Sequence, residues 1–125
     1  MDLENYQAIL DSVKHPIVFV DNDHVIRYLN RAAKVRYYEK RGYSDLIGKS
    51  LLDCHNPVSA NQITQAHERL QKGEGEVYLR RDKNQEKATV IVGVRDGSGL
   101  LLGYYERSER QNIQKPEPTN VNINT

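Results

Sequence analysis

The dipeptide Asn56-Pro57, in the middle of the chain, restricts the possible folds more than any other feature of the sequence. Asparagine is a favoured N-cap, and proline at the first helical position gives up no hydrogen bond that a helix would use. A helix should therefore start here and run to about residue 72, with Ile63, Ala66, His67 and Leu70 on one face and Gly73 closing it. Both flanks of this helix read as strands, so it must cross between two blocks of β-structure.

The block in front begins at Ile17-Val18-Phe19-Val20, a β-branched and aromatic run. Asp21-Asn22-Asp23 is a turn, and residues 24–29 form a second strand. Asn30 then caps a helix through Ala32, Ala33, Val35 and Tyr38, which Gly42 ends. Ser44 is expected to cap a second short turn over Asp45, Leu46 and Ile47, closed by Gly48. Behind the long helix, residues 76–81, 87–95 and 100–107 read as three strands. Val90, Val92 and Val94 share one face, and turns fall around Lys83-Asn84 and at Asp96-Gly97-Ser98-Gly99. Hairpins join strands one and two, three and four, and four and five. The expected architecture is α+β: a five-stranded antiparallel sheet covered on one face by short helices, with a pocket between sheet and crossing helices.

Residues 2–14 form a further helix in front of the sheet, with Asp2 as N-cap and Pro16 as its stop. Leu3, Tyr6, Leu10 and Val13 make a narrow, nearly heptad-like stripe. Such a stripe packs either on its own domain or against a second copy. After Glu109 the composition shifts to Gln, Asn, Pro and Thr, with Pro116 and Pro118 forbidding a helix. This divides the chain into a helix at 1–15, a globular unit at 16–109 and a flexible tail at 110–125.

At 125 residues, with 28% charged and 38% hydrophobic side chains, the chain supports one real core. Eighteen basic and 17 acidic residues leave a net charge of +1, without the basic excess of a nucleic-acid binder. The single cysteine makes no internal disulfide. No apolar run reaches membrane-spanning length, and Met1-Asp2-Leu3-Glu4 lacks the basic start of a secretory signal. The expectation is a cytoplasmic protein that engages neither nucleic acid nor membrane.

The order of these pieces resembles a PAS domain, a small sensor module. Pro16 to Asp21 followed by Ile26-Arg27-Tyr28-Leu29-Asn30-Arg31-Ala32-Ala33 is similar to that family's opening hairpin and helix-capping asparagine. Leu46-Ile47-Gly48-Lys49 resembles its hydrophobic-Gly-Lys turn, and residues 93–96 with 103–106 resemble its last two strands. The likeness covers residues 4–109. Cys54-His55-Asn56-Pro57 is similar to the signature of a bacterial subgroup, Cys-His-Pro-Pro, and departs from it at Asn56. The resemblance implies a sheet in the order 2-1-5-4-3, a surface for a ligand or partner, and homodimers through the N-terminal helix. It does not choose a ligand, because PAS domains take haem, flavins, small acids, metals or nothing.

The side chains suited to a pocket are Cys54, His55, His67 and Tyr28. A thiolate or imidazole can be an axial haem ligand, so haem is one possible cofactor while the cofactor itself stays unknown; the Cys-x-x-Cys-His motif of covalent attachment is absent. His67 shares a helical face with Ile63 and Leu70, where a buried core histidine is the simpler reading. Cys54 and His55 can equally be packing at a helix mouth, and as neighbours in an extended segment only one of them should face inward. Among eight tyrosines, Tyr28 is the pocket candidate, because its strand borders the helices and leads into Asn30. The flavin-photosensor cysteine signature, a four-ligand zinc spacing, a phosphate loop and a serine elbow are all missing.

These readings together predict a non-enzymatic sensory domain that binds a small molecule or cofactor, forms a homodimer and relays occupancy to a signalling partner. One alternative is a ligand-free docking module, its pocket filled by Phe19, Tyr28 and Leu79. The other is a small thiol enzyme using Cys54.

Overall fold

The structure is a computed structural model, and it describes residues 1–81 and 87–110. The turn expected at Lys83-Asn84 and the chain from residue 111 onward lie outside the described residues. Ten elements follow in order: α1 (Leu3–Ser12), β1 (Val18–Asp21), β2 (Ile26–Leu29), α2 (Arg31–Lys34), a π-helical turn (Val35–Lys40), a 3-10 turn (Leu52–Cys54), α3 (Pro57–Gln71), β3 (Glu76–Arg81), β4 (Lys87–Arg95) and β5 (Leu101–Arg110). The strands form one antiparallel sheet in the order β2-β1-β5-β4-β3, as expected.

Local chemistry explains the boundaries. The side chain of Asn56 accepts from Ser59 N at 2.8 Å, and Pro57 opens α3. Ile63, Ala66, His67 and Leu70 are its buried face. Asp2 caps α1 by accepting from Asn5 N. Between β1 and β2, the Asp21 carboxylate accepts from Asp23 N at 2.9 Å and Val25 N at 3.0 Å, and His24 takes a left-handed φ of 65°. That conformation is open mainly to glycine and to short polar residues, so the turn is held by side-chain bonds. β5 runs three residues past the expected end, because Thr89, Ala88 and Lys87 of β4 pair with Ser108, Glu109 and Arg110.

Asn30 fastens the front of the molecule. It is fully buried, and its Oδ1 accepts from Ile17 N and Ala33 N. Its Nδ2 donates to the carbonyls of Leu10, Val13 and His15. One amide therefore caps α2, anchors the start of β1 and closes the joint behind α1.

Two expectations fail between residues 31 and 50. The helix after Asn30 keeps α-geometry for only four residues and then widens into the π-helical turn. Tyr43 N closes that turn on the Tyr37 carbonyl at 2.9 Å, one residue wider than the usual helix-ending bond, with Gly42 at φ 76°. Ser44 opens no helical turn. Asp45 sits at φ 53°, Leu46 is buried, and Gly48 N and Lys49 O bond the backbone of Ile26 at 2.7 and 2.9 Å. A local turn bond forms, Lys49 N to the Leu46 carbonyl at 3.0 Å, and bonding to the edge of β2 takes the place of a further helical turn.

The core lies between the sheet and α3, with Val20, Ile26, Leu29, Ile63, Leu70, Ile91 and Tyr104 among its buried members. No helix among the described residues is long and apolar enough to cross a membrane.

Candidate ligand cavity

A cavity of about 390 Å³ opens on the same side of the sheet, a volume within the range of small-molecule sites. Val18 and Val20 of β1, Ile26 of β2, and Tyr104, Glu106 and Ser108 of β5 form its floor. Arg36, Tyr37, Arg41, Tyr43 and Leu46 make one wall, Leu51, Cys54 and His55 another, and His15-Pro16 a third. The β5 contribution follows from strand alternation, which sends residues 104, 106 and 108 to one face.

Cys54 and His55 both reach the cavity, against the expectation that only one would. The reason is the 3-10 turn at Leu52–Cys54, which replaces the extended backbone that would have pointed them apart. His55 Nδ1 donates to the Leu51 carbonyl at 2.9 Å, which fixes the ring and leaves Nε2 free of that bond. The exposed Cys54 thiol donates to the Ser50 carbonyl at 3.6 Å. Each side chain is thus bonded to a carbonyl and not to the other.

Tyr28 and His67 are placed elsewhere. Instead of lining the cavity, Tyr28 donates its hydroxyl to Asp11 Oδ1 at 2.9 Å, tethering β2 to α1. The same oxygen accepts from Arg31 N. Burial, and then the Asp11 carboxylate, raise the Tyr28 hydroxyl above its ordinary pKa. His67 is 5% exposed and sits in a polar cluster beside the cavity, between α3 and the sheet. Its Nε2 donates to Asn22 Oδ1 at 3.0 Å, while Asn22 Nδ2 donates to the Leu101 carbonyl at 2.9 Å. Its ring meets His24 edge-on with centroids 4.8 Å apart. His24 Nδ1 in turn lies 2.7 Å from the Tyr104 hydroxyl.

The electrostatics of that cluster favour neutral forms. Burial lowers both histidines below their ordinary pKa, and for His67 the neighbouring His24 adds to the effect. Asp21 and Asp23 pull His24 the other way, as Glu68 does His67, without reversing the direction. Burial also holds the Tyr104 phenol protonated well beyond its usual range. Both partners of the His24–Tyr104 bond are then uncharged, and the His24 tautomer sets its direction. Tyr104 alone belongs both to this cluster and to the cavity floor.

Sequence reasoning missed Arg36, Arg41 and His15. In an α-helix, residues five apart point about 140° away from each other. In a π-helical turn, where residue i bonds residue i+5, they fall close to one turn apart. Nothing in the residue pattern announces that widening, so no sequence signal joins Arg36 and Arg41 to a pocket.

Solved structures carry the same fold. A C-terminal domain from Streptococcus mutans matches with a TM-score of 0.68 at 20% identity, covering 88% of this chain and 85% of that one. The PAS domain of a Colwellia psychrerythraea protein matches with a TM-score of 0.61 at 20% identity, over 87% and 96% of the two chains. A sensory box sensor histidine kinase from Vibrio cholerae matches with a TM-score of 0.56 at 17% identity, over 86% and 90%. No functionally curated protein matches the chain. The PAS domain family model matches residues 6–106, nearly the whole described fold and every wall of the cavity except Ser108, and the chain therefore belongs to the PAS domain family.

Proposed function

We propose that this is a sensory PAS domain that binds a small ligand in the 390 Å³ cavity and passes occupancy to a second copy and a signalling partner through α1. The observation that carries the reading is the cavity itself, which two differently built surfaces enclose. Its Arg36–Leu46 and Leu51–His55 walls are irregular backbone or short helical turns, while its floor is the sheet. Similarity to a sensor histidine kinase supports a signalling role. The contacts would be Cys54 and His55, with Tyr28 acting at a distance through Asp11. The Cys-His-x-Pro sequence ahead of α3 supports placement in the bacterial Cys-His-Pro-Pro subgroup.

α1 buries none of its own residues, and Leu3, Tyr6 and Ile9 are more than half exposed. That face suits a second copy, and relay through it requires a ligand that binds the two arrangements with different affinity. Native mass spectrometry of the purified protein, with an absorbance spectrum beside it, tests the ligand reading. A retained small-molecule mass supports it. A Soret band would identify haem, for which Cys54 and His55 are the cavity's candidate axial ligands. Apo mass throughout, in protein purified under native conditions and exposed to cell extract, would overturn the ligand reading in favour of a docking module. Light scattering tests the dimer: Ile9→Asp should convert it to monomer, and a wild-type monomer at high concentration counts against the relay.

A further inference from the structure

We propose that the cavity is built for a small organic acid, a carboxylate or phosphate monoester on a flat apolar body, and that His15 reports its presence to α1. The proposal rests on the ligand-binding reading above.

Charge comes first. The π-helical turn brings Arg36 and Arg41 to one wall. Among the described residues the ion pairs are Arg27–Asp21, Arg69–Glu74 and Arg107–Glu76, so neither of these two guanidinium groups has a carboxylate partner. Arg41 lies over the Tyr37 ring, 5.6 Å from its centroid, which orients the group without using its donors. Among the described residues, Glu106 is the one acid lining the cavity, against two guanidinium groups and the imidazoles of His15 and His55. Planar guanidinium pairs match a carboxylate or phosphate bidentately, and an unpartnered pair at a cavity wall is the arrangement such an acid needs. Val18, Val20, Ile26, Leu46 and Leu51 line the same space and suit an apolar body.

The second observation is independent of charge. His15 lines the cavity, and its Nε2 is buried with no hydrogen-bond partner. A buried polar atom left unpaired is costly, and native structures keep few of them. An acid group taken in beside it would supply the missing partner. The backbone of the same residue is held by Asn30, whose Nδ2 donates to the His15, Val13 and Leu10 carbonyls at 3.0, 3.2 and 3.0 Å. Asn30 also caps α2, which continues into the turn bearing Arg36. A ligand bridging Arg36, Arg41 and His15 would therefore pull on both sides of one buried amide and shift the root of α1.

The test uses the whole chain in amide-resolved NMR titrations at low salt, with benzoate, phenyl phosphate and the neutral benzamide as probes. Benzoate or phenyl phosphate should bind at least tenfold more tightly than benzamide, and the tighter of the two tells carboxylate from phosphate. Arg36→Gln and Arg41→Gln should each weaken the acid about tenfold, with Arg36→Lys recovering part of the loss. Both positions are exposed, so the fold should survive. The acid should also move the amides of residues 10–15, and His15→Gln should abolish that response while leaving shifts at residues 36–41. Benzamide binding as tightly as benzoate would overturn the acid assignment and leave the cavity reading standing. If no probe perturbs the spectrum, the acid assignment falls, and a retained mass in the native mass spectrum decides the cavity reading separately. Acid binding without any response at residues 10–15 would overturn the role of His15.

Discussion

Tyr104 stands between two unlike polar neighbourhoods. Behind it, His24, His67 and Asn22 form a closed set in which each group bonds another or a backbone carbonyl. In front, around the cavity, Arg36 and Arg41 lack ion-pair partners among the described residues, and His15 Nε2 is buried without a bond to any of them. The difference separates polar residues that hold the fold from polar residues available to something else. Mutual satisfaction marks the first, and unmet bonding capacity inside a concave surface marks the second. Substitutions in the two regions should therefore differ in kind: the first set should cost stability, and the second should cost only binding.

The largest effect should come from the strand that carries Tyr104. A Cβ on Gly103 would collide with the Val20 carbonyl oxygen and lie 2.9 Å from Asp21 Cα, where Gly103 pairs with Asp21 at the end of the β1–β5 ladder. Gly103→Ala should cost on the order of 3 kcal/mol, because backbone on both sides must separate. Urea unfolding measures it, with Gly97→Ala, whose Cβ meets nothing within 4 Å, as the control. Asn30→Asp should follow at roughly 2 kcal/mol, since it keeps the acceptor but turns an oxygen toward three carbonyls. Amide exchange at residues 10–17 should rise more than in α3; equal protection would mean that Asn30 does not fasten α1.

Acid should attack the closed set next. Both histidines have folded pKa values below their ordinary value, so near that value the unfolded chain binds more protons than the folded one. Stability is then complete above about pH 6.5 and falls as pH drops below it toward the depressed values. The urea midpoint measured between about pH 7.5 and about pH 5 should decline, and His67→Gln should flatten the slope. A slope unchanged by that substitution would place the acid sensitivity elsewhere. Tyr104→Phe should cost about 1 kcal/mol by removing the hydroxyl bonded to His24, without unfolding the sheet.

The difference between the regions also decides what the sequence could reveal. Capping and periodicity are local, so Asn30, Asn56-Pro57 and the Ile63–Leu70 stripe were legible, and with the family resemblance they led to the strand order. The buried face of α3 identified His67 as a core residue for the same reason. Half of the cavity was legible as well, since Cys54 and His55 stood out by residue type. The other half depends on a helix that widens after four residues and on a loop that bonds β2 in place of itself. Tertiary bonding decides both, and neither leaves a period in the sequence. Tyr28 misled because its strand position was right but its hydroxyl found Asp11, 17 residues earlier in the chain.

The smallest expected effect is the sharpest test of the contrast. Arg36 and Arg41 are exposed and make no described ion pair, so removing either charge should change stability by no more than about 0.5 kcal/mol. Removing both together should even stabilise slightly at low salt, because two like charges brought to one wall repel and the repulsion is screened as salt rises. Thermal unfolding of Arg36→Gln/Arg41→Gln at two ionic strengths reads this directly. A loss as large as that of Tyr104→Phe would mean that the arginines are structural after all, tied into the π-helical turn as firmly as Tyr104 is tied to His24.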